Sequence, residues 1–156
     1  MDNQLITGQD GYAGEFGHTI ISIDGRPCPC GNQGCLEQYG SERALLKELS
    51  EKKGHKITPE HFMHLYQKGD EDALHTMDLF VKYMAIAISN LLTTFNPEIV
   101  VINSSFTMNF PDKVQDIYEH IHNKMAKYCN LVPSRLQDTA ILLGGVYLCS
   151  RKFLEL

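Results

Sequence analysis

The feature that most limits what this chain can fold into lies near its start. The sequence reads Gly14-Glu15-Phe16-Gly17-His18, then nine residues, then Cys28-Pro29-Cys30-Gly31-Asn32-Gln33-Gly34-Cys35-Leu36-Glu37. Three thiolates and one imidazole complete the tetrahedral shell that Zn2+ prefers. His18, Cys28, Cys30 and Cys35 are therefore expected to hold one zinc ion. Four protein ligands leave no open position for water, so the metal should be structural rather than a Lewis-acid catalyst. Residues 24–37 are irregular and rich in Gly, Pro and Cys, and such a segment cannot bury a core of its own. A metal is the staple it needs, and Gly31 and Gly34 supply tight turns that bring the sulfurs to one point.

The remaining cysteines support a metal rather than a disulfide framework. There are five in 156 residues. Three crowd into the stretch above, while Cys129 and Cys149 stand far away, where a secreted disulfide scaffold would spread them. A reduced, cytoplasmic protein is the expectation, with Cys129 and Cys149 as ordinary core or near-surface thiols. The formal net charge is -5, and no Lys/Arg cluster of five or more occurs, so direct DNA contact by this chain is not expected. No apolar run reaches the roughly 18–20 residues of a membrane span, and the start lacks the basic-then-apolar order of a signal peptide.

Along the chain, residues 3–8 and 18–23 read as short strands around a glycine-rich turn. From Ser41 the pattern becomes helical, with Ala44, Leu45 and Leu49 on one face. Thr58-Pro59-Glu60 reads as an N-cap with proline at the first helical position, opening a helix through about residue 67. The longest helix should run from about 71 to 95. There Ala73, Met77, Phe80, Met84, Ala87, Leu91 and Phe95 recur at steps of three and four. Ile86 and Ile88 widen this apolar surface, so its second half should be buried on most sides. Asn96-Pro97 stops the helix. The run 98–102 reads as a strand buried in a parallel sheet, 112–127 as a helix, 139–143 as a second buried strand, and Gly144-Gly145 as the lead into a final helix. This order implies one α/β domain, residues 1–156, with crossover connections.

Glu15 and Glu37 flank the metal ligands. His18 can give one ring nitrogen to zinc and keep the other as a fixed N–H donor, while carboxylates accept pairs of hydrogen bonds. An oriented donor between two acceptors suits a sugar, whose neighbouring hydroxyls both donate and accept. The same spacing is equally consistent with Glu15 closing a turn and Glu37 opening a solvated helix. His61 and His64, and His120 and His122, lack a nearby third ligand in sequence and are read as surface histidines.

The run Gly14 to His18 followed by Cys28-x-Cys30-Gly31-x2-Gly34-Cys35-Leu36-Glu37 resembles the signature of the ROK family (repressors, open reading frames, kinases). The resemblance extends to the Asn96-Pro97-Glu98 turn and the closing Gly-Gly helix. It implies the C-terminal lobe of an actin-like, ribonuclease-H-like ATPase fold with a zinc-binding loop. It also implies a small-molecule sugar contacted by Glu15, His18 and Glu37, zinc on His18, Cys28, Cys30 and Cys35, and a homodimer. Family kinases carry an Asp-x-Gly-Gly-Thr phosphate loop and an Asn-Asp pair, and neither occurs in this sequence. Family repressors carry a helix-turn-helix before the sugar-binding lobes, which is absent too, so operator DNA would be reached only through such a segment. Met1 is accordingly read as the start of a fragment.

One position favours the repressor branch of that family, including its xylose-repressor-like members. Similar kinases follow the buried strand with a glycine-rich turn that lets adenine nucleotide approach the backbone. This chain has Ile102-Asn103-Ser104-Ser105-Phe106 there, and no glycine between Gly69 and Gly144. Phe106 and the serines are expected to crowd or reshape a nucleotide site. The reading is thus a sugar-sensing lobe of a repressor of carbohydrate-metabolism genes, itself without catalytic residues. A fragment of a sugar kinase and a zinc-stabilised dimerisation module are the alternatives. Xylose, glucose and N-acetylated hexosamines are all compatible with the resemblance.

Overall fold

A computed structural model describes residues 5–136 and 139–154. The chain divides into two compact units, residues 1–90 and 91–156, with the boundary inside one long helix.

The first unit begins with the ligand-bearing loop, which contains a 3₁₀ turn at Phe16–His18. It is drawn together by two isolated antiparallel bridges, Ile20 with Cys35 and Pro27 with Gln33. The expected strand at 18–23 does not form, and residues 5–8 are not a strand either, while 3–4 lie outside the described residues. The physical reason is the pairing available. Ile21 N–H donates to Gly34 and Leu36 N–H to Thr19, but the facing segment turns away through Gly31–Gly34 after a residue or two. A ladder cannot propagate, and Ile23 is left 90% exposed.

Helices then follow where their caps place them: α1 (Glu37–Gly40), α2 (Glu42–Lys53), α3 (Pro59–Gln67) and α4 (Glu71–Phe95). Ser41 Oγ accepts from Ala44 N–H and caps α2; Thr58 Oγ1 accepts from His61 N–H and caps α3. Each cap satisfies an N–H that the helix itself leaves unpaired. Asp70 Oδ1 does the same for Ala73 N–H. Its other oxygen accepts from Lys53 Nζ at 2.8 Å, and Lys53 also meets Asp72 at 2.7 Å. The Lys53 ammonium beside it holds the Asp70 carboxyl below its usual value, and the end of α2 is thereby tied to the start of α4. The unit's core is Leu45, Leu49, Ile57, Phe62, Ala73, Met77, Phe80 and Val81.

The buried face of α4 runs Ala73, Thr76, Met77, Phe80, Val81, Ala85, Ala87, Ile88, Leu92, which is the i, i+3, i+4 stripe of a helix with one covered side. Burial on most sides is not found: Ile86 and Phe95 are exposed. Alternation of Ile86 and Ile88 places them about 200° apart around the axis, so only Ile88 shares the stripe.

The second unit is built on two parallel strands, β1 (Ile99–Ile102) and β2 (Asn130–Pro133). They pair in the register Ile99 with Asn130 through Ile102 with Pro133. Parallel strands need a long crossover. It is supplied by α5 (Ser105–Asn109), α6 (Asp112–Glu119) and a 3₁₀ turn at Lys124–Tyr128. The helix expected at 112–127 is thus two pieces, because Asn123 Oδ1 accepts from Met125 N–H and starts a new turn. β1 is parallel as expected but not buried throughout, since Ile99 and Val101 are exposed while Ile102 is covered. Residues 139–143 are not a strand. They open α7 (Thr139–Leu154), which continues through Gly144-Gly145, and Ile141 is 82% exposed. A short apolar run has no period that separates strand from helix.

Thr76 is 2% exposed, and its Oγ1 has no hydrogen-bond partner among the described residues. A buried hydroxyl without a partner costs about 1–3 kcal/mol. Thr76→Val should therefore raise unfolding stability in urea by about 1 kcal/mol; a loss of that size would show that the hydroxyl is paired.

Candidate metal centre and adjoining carboxylates

The four expected ligands come together. One ligand atom from each of His18, Cys28, Cys30 and Cys35 lies within 4.8 Å of all the others. Cys30 Sγ and Cys35 Sγ are 3.6 Å apart, and Cys28 Sγ is 3.6 Å from His18 Nδ1. Tetrahedral zinc with ordinary bond lengths separates two sulfurs by about 3.8 Å and a sulfur from a nitrogen by about 3.6 Å. The donor set and its spacing both fit zinc. Among the described residues this is the one cluster of three or more His, Cys, Asp or Glu side chains able to hold a metal; His61, His64, His120 and His122 form none.

Local backbone chemistry builds the cluster. Cys28 N–H donates to Asn32 at 2.9 Å and Gly31 N–H to Cys28 at 3.0 Å, folding 28–32 into a knuckle with Gly31 at φ +95°. Gly34 sits at φ +77°, and a Cβ there would collide with the Ser22 carbonyl, so only glycine fits. Cys28 and Cys35 are buried, whereas Cys30 is exposed. The thiols differ accordingly. Cys28 is lowered to about 7, chiefly by a hydrogen bond from the Cys30 backbone N–H. Cys35 is pushed up to about 12, chiefly by burial and then by its two sulfur neighbours. Holding all three sulfurs together as thiolates here would take a cation.

The two ring nitrogens of His18 face different ways. Nδ1 faces Cys28, and Nε2 points the other way, 3.8 Å from Glu15 Oε2. That gap is too long for a hydrogen bond. Glu15 occupies the N-cap position of the 3₁₀ turn, but its side chain makes no capping hydrogen bond. Glu37 is the first residue of α1. It is not a solvated carboxylate: its side chain is 30% exposed and its Oε1 accepts from Gln38 Nε2 and from Arg43 Nη2, each at 2.9 Å. Gly17 lies against it, where a Cβ would stand 3.3 Å from Glu37 Cβ.

Gln38 and Arg43 were not singled out from the sequence. Gln38 Nε2 lies 3.5 Å from Cys28 Sγ as well, so one amide touches both a ligand sulfur and the Glu37 carboxylate. Arg43 follows Glu37 by six residues across the break at Ser41, a spacing that no single helix turns into a neighbour. Arg26 was also missed. Its guanidinium lies 4.7 Å over the Tyr39 ring and donates to the Gln38 carbonyl at 2.8 Å and to Glu48 at 3.1 Å, fixing the loop's base to α1 and α2. A cleft of about 490 Å³ shares Gln38 and Arg43 with this network but includes none of Glu15, His18 and Glu37.

With this geometry in place, the relatives can be read. The model of the ROK family matches residues 1–152. The xylose repressor of Bacillus subtilis (strain 168) is 32% identical over 160 residues, spanning 100% of this chain and 41% of that protein. The glucokinase of Thermotoga maritima is 30% identical, over 90% of this chain and 50% of that protein. Among solved structures, a ROK hexokinase from Thermus thermophilus superposes with a TM-score of 0.78 at 26% identity, covering 89% of this chain and 49% of that one. The chain thus spans about half, or less, of the length of these relatives.

Metal binding energy is also folding energy, and Cys30 is an exposed side chain that contributes little packing. Protein purified without chelator should carry about one zinc per chain by elemental analysis. Cys30→Ser should lower Tm by more than about 5 °C, whereas both proteins should melt together after chelator treatment. A zinc-free protein, or an unchanged Tm in Cys30→Ser, contradicts the site.

Proposed function

Since the chain belongs to the ROK family, we propose that it is the sugar-sensing C-terminal lobe of a transcriptional repressor of carbohydrate-metabolism genes. Zinc on His18, Cys28, Cys30 and Cys35 supplies a rigid loop and fixes the direction of the His18 ring. The observation that carries the sugar reading is the direction of the His18 ring: Nδ1 faces the sulfurs, and Nε2 faces outward beside Glu15. With Nδ1 on a metal, Nε2 keeps its proton and donates. Glu15 and Glu37 accept, so adjacent sugar hydroxyls can be satisfied in both senses at once.

The repressor branch is supported by the alignment of the entire chain with xylose repressor and by the turn after β1. Asn103 leads into Ser104, whose Oγ accepts from Phe106 N–H, and α5 starts at once. Phe106 is fully buried, so its ring does not itself block a nucleotide. The turn differs from a glycine-rich one because a capped helix and a core anchor occupy it. In this reading sugar biases a population of lobe arrangements. A cytoplasmic homodimer then presents helix-turn-helix segments, carried outside this chain, differently to operator half-sites.

A sugar kinase is the second reading, favoured by the identity to the Thermotoga maritima glucokinase. The same Glu15, His18 and Glu37 would hold the sugar, while an Asp from another lobe would activate a hydroxyl toward ATP. The two readings separate at phosphoryl transfer.

In the protein that carries this chain, Glu37→Ala should weaken binding of the sugar, screened as xylose, glucose and N-acetylglucosamine by calorimetry, by at least about tenfold, with zinc content unchanged. Loss of zinc in this variant would make Glu37 structural. ATP turnover dependent on any of the three sugars would overturn the repressor reading in favour of the kinase.

A further inference from the structure

We propose that Gln38 and Arg43 are positioning residues that clamp one oxygen of Glu37 and leave the other to the ligand, with Gln38 also tying that carboxylate to the metal-site sulfur of Cys28. This rests on the sugar-binding reading of Glu37. It adds two residues and a physical link between the metal site and ligand recognition.

The geometry is asymmetric. Both donors reach Glu37 Oε1, Gln38 Nε2 at 2.9 Å and Arg43 Nη2 at 2.9 Å, and Cys28 Sγ lies 3.9 Å from the same oxygen. Oε2 takes neither. It lies instead over Gly17, 3.9 Å from where a Cβ at that position would stand, one residue before His18. A carboxylate held on one oxygen by two donors cannot rotate freely, so its second oxygen keeps a fixed direction. That preorganisation removes an ordering cost from ligand binding. The backbone adds a third restraint, because Ser41 Oγ donates to the Glu37 carbonyl at 2.7 Å.

Gln38 makes the link to the metal. A side-chain amide carries two N–H donors on one nitrogen, and Gln38 Nε2 lies 3.5 Å from Cys28 Sγ and 2.9 Å from Glu37 Oε1. With a metal bound, Cys28 is a thiolate and the stronger acceptor, so the amide nitrogen lies between two anionic acceptors that are 3.9 Å apart. Partners of ligand atoms at this remove tune a metal site. Among the described residues Arg43 has no hydrogen bond with sulfur; its ion pair is with Glu37. The two residues should therefore have different signatures, which a general loss of structure would not produce.

The experiment uses the protein that carries this chain, with Gln38→Leu and Arg43→Ala, and Arg43→Lys as the conservative variant. Zinc affinity is read by chelator competition and sugar affinity by calorimetry with xylose, glucose and N-acetylglucosamine. Gln38→Leu should weaken zinc affinity about tenfold and sugar affinity by a similar factor. Arg43→Ala should weaken sugar about tenfold with zinc affinity within about twofold of wild type, and Arg43→Lys should recover part of the sugar affinity. In cobalt-loaded protein, Gln38→Leu should move the sulfur-to-metal charge-transfer band to lower energy, because the thiolate loses an N–H donor, and Arg43→Ala should leave it in place. Unchanged zinc affinity and an unmoved band in Gln38→Leu overturn the link to sulfur. Unchanged sugar affinity in both variants, where wild type binds sugar, overturns the clamp alone. A wild type that binds none of the three sugars overturns the sugar reading, and the clamp with it, while the metal measurements still decide the contact of Gln38 with Cys28.

Discussion

The convergence of three sulfurs and one imidazole nitrogen is the constraint on which the loop 14–40 depends. This segment has few backbone ladder bonds and little apolar surface of its own. Its shape is held by the knuckle at Cys28–Asn32, by the close approach of Gly34 to Ser22, and by the Arg26 contacts to Tyr39, Gln38 and Glu48. Each of these positions a ligand. Without a cation, buried thiols with opposed proton affinities would stand at one point, Cys28 low and Cys35 high. The remainder of the unit can be understood as a platform. Capped helices α2, α3 and α4 enclose Leu49, Phe62 and Met77, and α1 connects that platform to the loop through Glu37, Gln38 and Tyr39.

A metal held by these four residues would order the loop, and recognition would fall to the neighbouring side chains. His18 contributes to both because its two ring nitrogens face different ways. Glu15 Oε2 lies 3.8 Å from the outward nitrogen, and Glu37 Oε1 lies 3.9 Å from Cys28 Sγ and accepts from Gln38, which also reaches that sulfur. Such an arrangement converts a structural metal into a means of aiming hydrogen-bond donors and acceptors, which is what a polyhydroxylated ligand requires. Neither the repressor nor the kinase reading changes this. They differ in what happens after a sugar is held, and the relatives of this chain include proteins of both names.

Legibility in the sequence followed the range of the interaction. Caps are local, so Ser41, Thr58 and the limits of α3 and α4 could be read from residue order. Ligand spacing is local as well, and the four metal-site residues assembled as expected. Apolar runs without a period were not legible: 139–143 forms a helix, and the second strand is the less apolar Asn130–Pro133. Contacts across the break between two helices were also hidden. Arg43 reaches Glu37 only because Ser41 redirects the chain between α1 and α2, and Arg26 reaches Glu48 from 22 residues away. Nothing in a linear pattern marks such pairs.

If a closed sulfur-nitrogen metal site orients protein groups, and these groups rather than the metal meet the sugar, the coordination of the metal stays the same when sugar binds. X-ray absorption at the zinc edge, on the protein with and without sugar, should then show about three sulfurs near 2.3 Å and one nitrogen near 2.0 Å in both samples. An oxygen that joins these ligands when sugar is added would mean that the metal itself binds the sugar.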